Sequence, residues 1–193
     1  MKTLTPWLIA GLAIPITLAA QTDPKTPQPT APPRAESPVR PPSSRIRIAS
    51  RVYVGENAPG FELTNADGER VKLSRFKADR VMLCFAHRRE MLAPYGAVTE
   101  SLAAMGVLLV GICHDSPRNL RSLVNQDSLR FQLLSDPTGE VSAIYGAYDF
   151  PTSTIRPGHV LVGRQGVVRM VLLGQALPPD DLVWLTRYTL SGL

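Results

Sequence analysis

Two short apolar runs, VMLCF within residues 80–86 and VLLVGIC at 107–113, limit what this chain can fold into more than any other feature. Runs of this length suit strands covered on both faces, as in parallel or mixed sheets flanked by helices. The first run passes straight into charge, RVMLCFAHRREMLAPYGAV over 80–98, with His87, Arg88, Arg89 and Glu90 in the turn. Ligands of α/β proteins gather at the carboxyl ends of such strands, so the turn is a candidate site. Around the two runs, VGENAPGFELTNADGERVKLSRF alternates polar and apolar residues about Asp67-Gly68, which predicts a β-hairpin. Leu92 to Met105 has helical spacing, closed by Gly106. Ser116-Pro117 caps a helix to about Gln126, RFQLLSD reads as a strand, and Asp136 opens a helix to about Tyr145. His159–Val162 and Val167–Leu172 pair across Arg164-Gln165-Gly166, and Pro178–Asp181 starts a last helix to about Leu190, with acids at its positive end. This order predicts a three-layer α/β/α domain over residues 51–193, with a mixed central sheet and an N-terminal β-hairpin.

A chain of 193 residues, 44% hydrophobic, holds one such domain plus tails. Its net charge of +5 is scattered, with little aromatic interleaving, which argues against nucleic acid as a partner. Residues 1–20, one lysine and then an apolar stretch ending in small residues, read as a signal peptide or a short N-terminal anchor. Residues 21–50 are rich in Pro, Ser, Thr and Ala and are expected to form a disordered, extended linker. The domain is therefore expected in the periplasm or outside the cell, touching membrane only through the N-terminal segment. In such a compartment Cys84 and Cys113 can form a disulfide; as two thiols they are buried and inert. The sequence has no glycine-rich phosphate loop and no spaced Cys/His set, so neither a cofactor nor a metal is expected, and His114 and His159 stand isolated. Cys113-His114-Asp115 ends the second apolar run, where a neighbouring imidazolium lowers a thiol pKa; this makes Cys113 a candidate nucleophile.

The motifs resemble a family. VGENAPGFELTNADGERVKLSRFKADRVMLCF is similar to the opening of the peroxiredoxins, the alkyl hydroperoxide reductase/thiol-specific antioxidant branch of the thioredoxin-fold superfamily. VGICHDSP, FQLLSDPTGEVSAIYGAY and IRPGHVLVGRQGVV resemble its later segments in the same order. The resemblance covers about residues 52–190 and implies a thioredoxin-like fold and thiol-dependent peroxide reduction, an antioxidant activity in cell redox homeostasis. In that family the turn after the central strand carries the peroxidatic cysteine at the start of a helix. Laying FAHRREMLAPYG on the pattern puts Glu90, Met91, Ala93 or Pro94 there, and the following helix is short. The resemblance thus implies a vestigial active-site loop at His87, Arg88, Arg89, Glu90 and Pro94. It further implies an active-site arginine at Arg156 and, at Pro157, the structural proline that is cis across the superfamily. Three readings stay open: a binding or accessory module, a thiol oxidoreductase using Cys113 with Cys84, or a purely structural domain held on a membrane tether. The partners expected are a protein thiol reductant, an acidic or anionic ligand, and a second copy in a homodimer. Exposure of Cys113 separates the first two, since a buried thiol cannot meet peroxide.

Overall fold

A computed structural model describes residues 52–76, 79–127 and 129–192; the expected leader and proline-rich linker lie outside the described residues. The two apolar runs form β3 (Arg80–Ala86) and β4 (Val107–Cys113), paired in parallel from Arg80 opposite Val107 to Ala86 opposite Cys113. The expected hairpin is β1 (Glu62–Asn65) with β2 (Arg70–Lys72). Asn65 Oδ1 closes its turn by accepting the N–H groups of Asp67 and Glu69 at 2.9 and 2.8 Å. Gly68 supplies the positive φ of +87° that the turn requires. With β5 (Gln132–Ser135), β8 (Gly158–Val162) and β9 (Val168–Leu173) these strands make one mixed sheet, ordered β2-β1-β5-β4-β3-β8-β9.

Period-two alternation along β3 divides the core between the two faces of the sheet. Val81, Leu83 and Phe85 pack on one face with Val110, Ile112 and Tyr145. Met82, Cys84 and Ala86 pack on the other with Leu92, Leu102, Cys113 and Leu182. The second face is covered by α1 (Thr99–Ala104), Leu120 of α2 (Pro117–Asp127) and α4 (Pro179–Ser191), the first by α3 (Glu140–Ile144). The result is the expected thioredoxin-like three-layer arrangement. Among the described residues no helix is long and apolar enough to cross a membrane.

Three local expectations are corrected. Leu92–Met105 is not one α-helix: Arg89–Met91 and Ala93–Val98 are 3₁₀ turns, and only Thr99–Ala104 is α-helical. Leu92, Tyr95 and Val98 are all buried at a spacing of three, which is the 3₁₀ period, and only the next buried residue, Leu102, stands four on. The helix expected from Asp136 begins at Glu140; Asp136 instead accepts both the N–H and the hydroxyl of Ser142 from before the turn, at 2.8 and 2.7 Å. A small antiparallel pair, β6 (Tyr148–Asp149) with β7 (Thr154–Ile155), lies in a stretch assigned no element from the sequence.

Tyr145 ties α3 to the N-terminal part of the domain. It is fully buried between Phe61 and Phe85, and its hydroxyl donates to the Pro59 carbonyl at 2.7 Å. Tyr145→Phe keeps the packing and leaves that carbonyl to water, so a loss of about 1 kcal/mol is expected in urea unfolding.

Candidate functional site

The site is built by strand register. β3 and β4 end together at Ala86 and Cys113, and the next residue on each is a histidine. Neighbours in register across a parallel pair point to the same side, so the rings of His87 and His114 stack, with centroids 5.5 Å apart and planes at 25°. Both Nδ1 atoms are buried with no hydrogen-bond partner. The rings line a cavity of about 280 Å³ together with Arg88, Arg89, Glu90 and Asp115.

Arg89 laces the two turns together. Its backbone N–H donates to Asp115 Oδ2 at 2.9 Å, and its guanidinium reaches Asp115 Oδ1 at 3.3 Å and Glu90 Oε1 at 3.1 Å. The second turn is fixed from behind: Ser135 Oγ donates to the Asp115 carbonyl at 2.7 Å and the Asp136 N–H to the Cys113 carbonyl at 2.8 Å. Arg88 is exposed and, among the described residues, has no ion-pair partner.

Neither thiol reaches the cavity. The two cysteines are free, not a disulfide, and both are buried. Cys113 is fully buried, and burial pushes its pKa up to about 12 even though the backbone of Asp115 donates a hydrogen bond to it. Asp115, two residues on, is held by Arg89. Cys84 lies inside β3, and burial raises its thiol further still. Its sulfur sits 3.3 Å from His159 Nδ1, across the antiparallel pairing of β3 and β8. His159 Nε2 accepts the Leu177 N–H at 3.1 Å, and Tyr95 Oη donates to the Leu177 carbonyl at 2.7 Å. An accepting Nε2 puts the proton of the neutral ring on Nδ1, so His159 donates to the sulfur. This internal network latches the 3₁₀ segment to the stretch before α4.

Residues 54–171 match the sequence model of the AhpC/TSA family. The chain belongs to that family. A peroxiredoxin Q of Populus jackii chloroplasts is 29% identical over 152 residues, which are 74% of this chain and 71% of the relative. Peroxiredoxin Bcp of Escherichia coli is 31% identical over 102 residues; the match takes in 49% of this chain and just under two thirds, 64%, of the bacterial protein. The crystal structure of peroxidoxin BcpB from Mycobacterium tuberculosis superposes with a TM-score of 0.64 over 71% of this chain and 97% of that one, and its 19% identity speaks to the fold.

In the structure, the residues singled out from the sequence separate into two groups. His87, Arg88, Arg89 and Glu90 share the cavity. Pro94 is exposed on the 3₁₀ segment and Arg156 is exposed before β8, and neither lines it. The Arg156 N–H donates to the Ala147 carbonyl at 2.7 Å, and the Pro157 carbonyl accepts the Gly174 N–H at 2.8 Å, so this segment is fixed through its backbone. Sequence reasoning did not join His114 and Asp115 to the turn at 87–90. The available signal was that both apolar runs end in the same pattern, a small residue and then histidine. Among the described residues no group of three or more His, Cys, Asp or Glu is placed to hold a metal ion.

Proposed function

We propose that this chain is an exported peroxiredoxin-family protein that has lost the peroxidatic thiol and works as a binding module through the cavity between His87 and Asp115. The observation that carries this reading is the placement of its thiols. The turn HRREMLAP, residues 87–94, contains no cysteine, and the two cysteines present are both buried. Reduction of a hydroperoxide begins with a thiolate attacking the terminal peroxide oxygen, which requires an accessible, low-pKa sulfur. Cys113 is neither accessible nor easily ionised. What remains at the strand ends is a polar cavity whose arginine, acids and imidazoles are held in place by the two turns. Export rests on the composition of residues 1–20.

The experiment is peroxide consumption by the purified chain with a dithiol reductant, comparing wild type with Cys113→Ser and Cys84→Ser. The expected rates are the same in all three and indistinguishable from reductant alone. Rapid consumption that disappears in Cys113→Ser overturns the proposal and makes the protein a thiol oxidoreductase.

A further inference from the structure

Resting on the reading of this cavity as a binding site, we propose that its ligand is a small oxyanion, a phosphoryl or carboxylate group held by the Nε2–H groups of His87 and His114 and by the guanidinium of Arg88. The argument turns on which ring nitrogen of each histidine carries the proton. Both Nδ1 atoms are buried and partnerless. A buried N–H with nothing to donate to costs more than a bare acceptor nitrogen, and orphaned donors are the rarer case in folded proteins. Each neutral ring therefore keeps its proton on Nε2. Neither Nε2 is among the buried partnerless atoms, and neither has a hydrogen-bond partner among the described residues. The stacked pair that lines the cavity thus has two N–H donors to offer and, with both Nδ1 atoms buried, no accessible ring acceptor.

The same point decides against a metal cation. A histidine that ligates through Nε2 carries its other proton on Nδ1 and passes it to an acceptor behind the ring. Here, among the described residues, no acceptor bonds to either Nδ1. The acids of the cavity do not favour a cation either, because Arg89 already engages both Asp115 and Glu90. Arg88 is the guanidinium left to face an incoming ligand, and guanidinium matches the paired oxygens of phosphate or carboxylate. With two carboxylates opposite two arginines, the formal charge of the lining cancels when the rings are neutral. Selection therefore comes from the fixed donor geometry, and a ligand with at least two acceptor oxygens is preferred over a spherical anion.

The chain contains three histidines, at 87, 114 and 159, so ¹⁵N-histidine labelling of the full-length protein reads every ring separately. In their neutral state His87 and His114 are expected as the Nε2–H tautomer and His159 as the opposite, Nδ1–H tautomer. Titration with inorganic phosphate at constant ionic strength is expected to give saturable shifts at His87 and His114 and none at buried His159. Acetate in a second arm tells a carboxylate source from a phosphoryl one, and zinc in a third tests the cation. Arg88→Gln is expected to weaken the oxyanion response about tenfold. His87→Phe, a second variant, is expected to abolish the response at His114 while its thermal midpoint shows the fold intact. Equal shifts with chloride, a response undiminished in Arg88→Gln, zinc binding tighter than either oxyanion, or Nδ1–H tautomers at 87 and 114 each overturn the proposal. Peroxide consumption is read independently, so failure here with no peroxidase activity removes the ligand class and leaves the loss of catalysis standing.

Discussion

Acidification from pH 6.5 to 4 is expected to remove about 3 kcal/mol of folding stability through a single residue, His159. Burial lowers its folded pKa to about 4, against about 6.5 in an unfolded chain. Between those values the unfolded chain binds a proton that the native protein refuses, so stability falls as pH falls. The loss begins near pH 6.5 and levels off below 4; above 6.5 the residue contributes no slope. The geometry gives the reason. The ring is 1% exposed, and its Nε2 is filled by the Leu177 N–H, so a second ring proton would set two donors against each other. His159→Gln keeps an acceptor for that N–H and does not titrate. Urea unfolding of wild type and variant at pH 7, 6 and 5, above most carboxylate titration, isolates the effect. The wild type should lose stability across this range relative to the variant. Parallel pH profiles, or an NMR titration in which folded His159 takes up a proton near 6.5, sink the prediction.

How far the fold could be read in advance depended on whether local chemistry or tertiary register decided each element. β3 and β4 were visible because unbroken apolar runs bounded by charge leave a short chain few alternatives. The β1–β2 turn was visible because Asp67-Gly68 carries its own conformational demand. The first part of the expected helix, 92–98, misleads because a buried stripe at i, i+3 fits a 3₁₀ turn as well as the start of an α-helix. Pro94 and Gly96 gave the chain no α-helical reinforcement there.

The site was half visible for a related reason. His87 to Glu90 lie together in sequence, so their clustering needed no fold. His114 and Asp115 join them only through a parallel register, and a one-residue slip would turn His114 to the opposite face of the sheet. Cys113 and His114 suggest an activated thiol because they are consecutive, whereas a strand sends successive side chains to opposite sides. The thiol goes into the core, the imidazole to its partner His87, and the carboxylate to Arg89. The Cys84–His159 contact likewise exists only because β3 and β8 pair those two residues directly.

The same register sets up the second large effect, beneath the turn. Leu92 joins the two 3₁₀ segments and is 1% exposed against the middle of the sheet. Its slot exists because β4 carries glycine at 111: a Cβ there would lie 2.8 Å from Leu92 Cδ1 and 2.7 Å from Leu133 Cδ2. Leu92→Ala is expected to cost about 2–5 kcal/mol, from lost burial plus the void left under the turn. Gly111→Ala alone is expected to cost about 1–3 kcal/mol, because two buried leucines must give way. The two changes share one space, so they should not add. In the Leu92→Ala background the new methyl group enters part of the void, and Leu133 Cδ2, with Phe131 Cε2 at 3.3 Å, is left to resist it. A double-mutant cycle by urea unfolding should therefore show a favourable coupling on the order of 1 kcal/mol, with m-values unchanged. Strict additivity would mean that the turn does not rest on Gly111. A Leu92→Ala loss under about 1 kcal/mol would mean that the segment carrying Arg89 is held by its polar lacing to Asp115 rather than by the core.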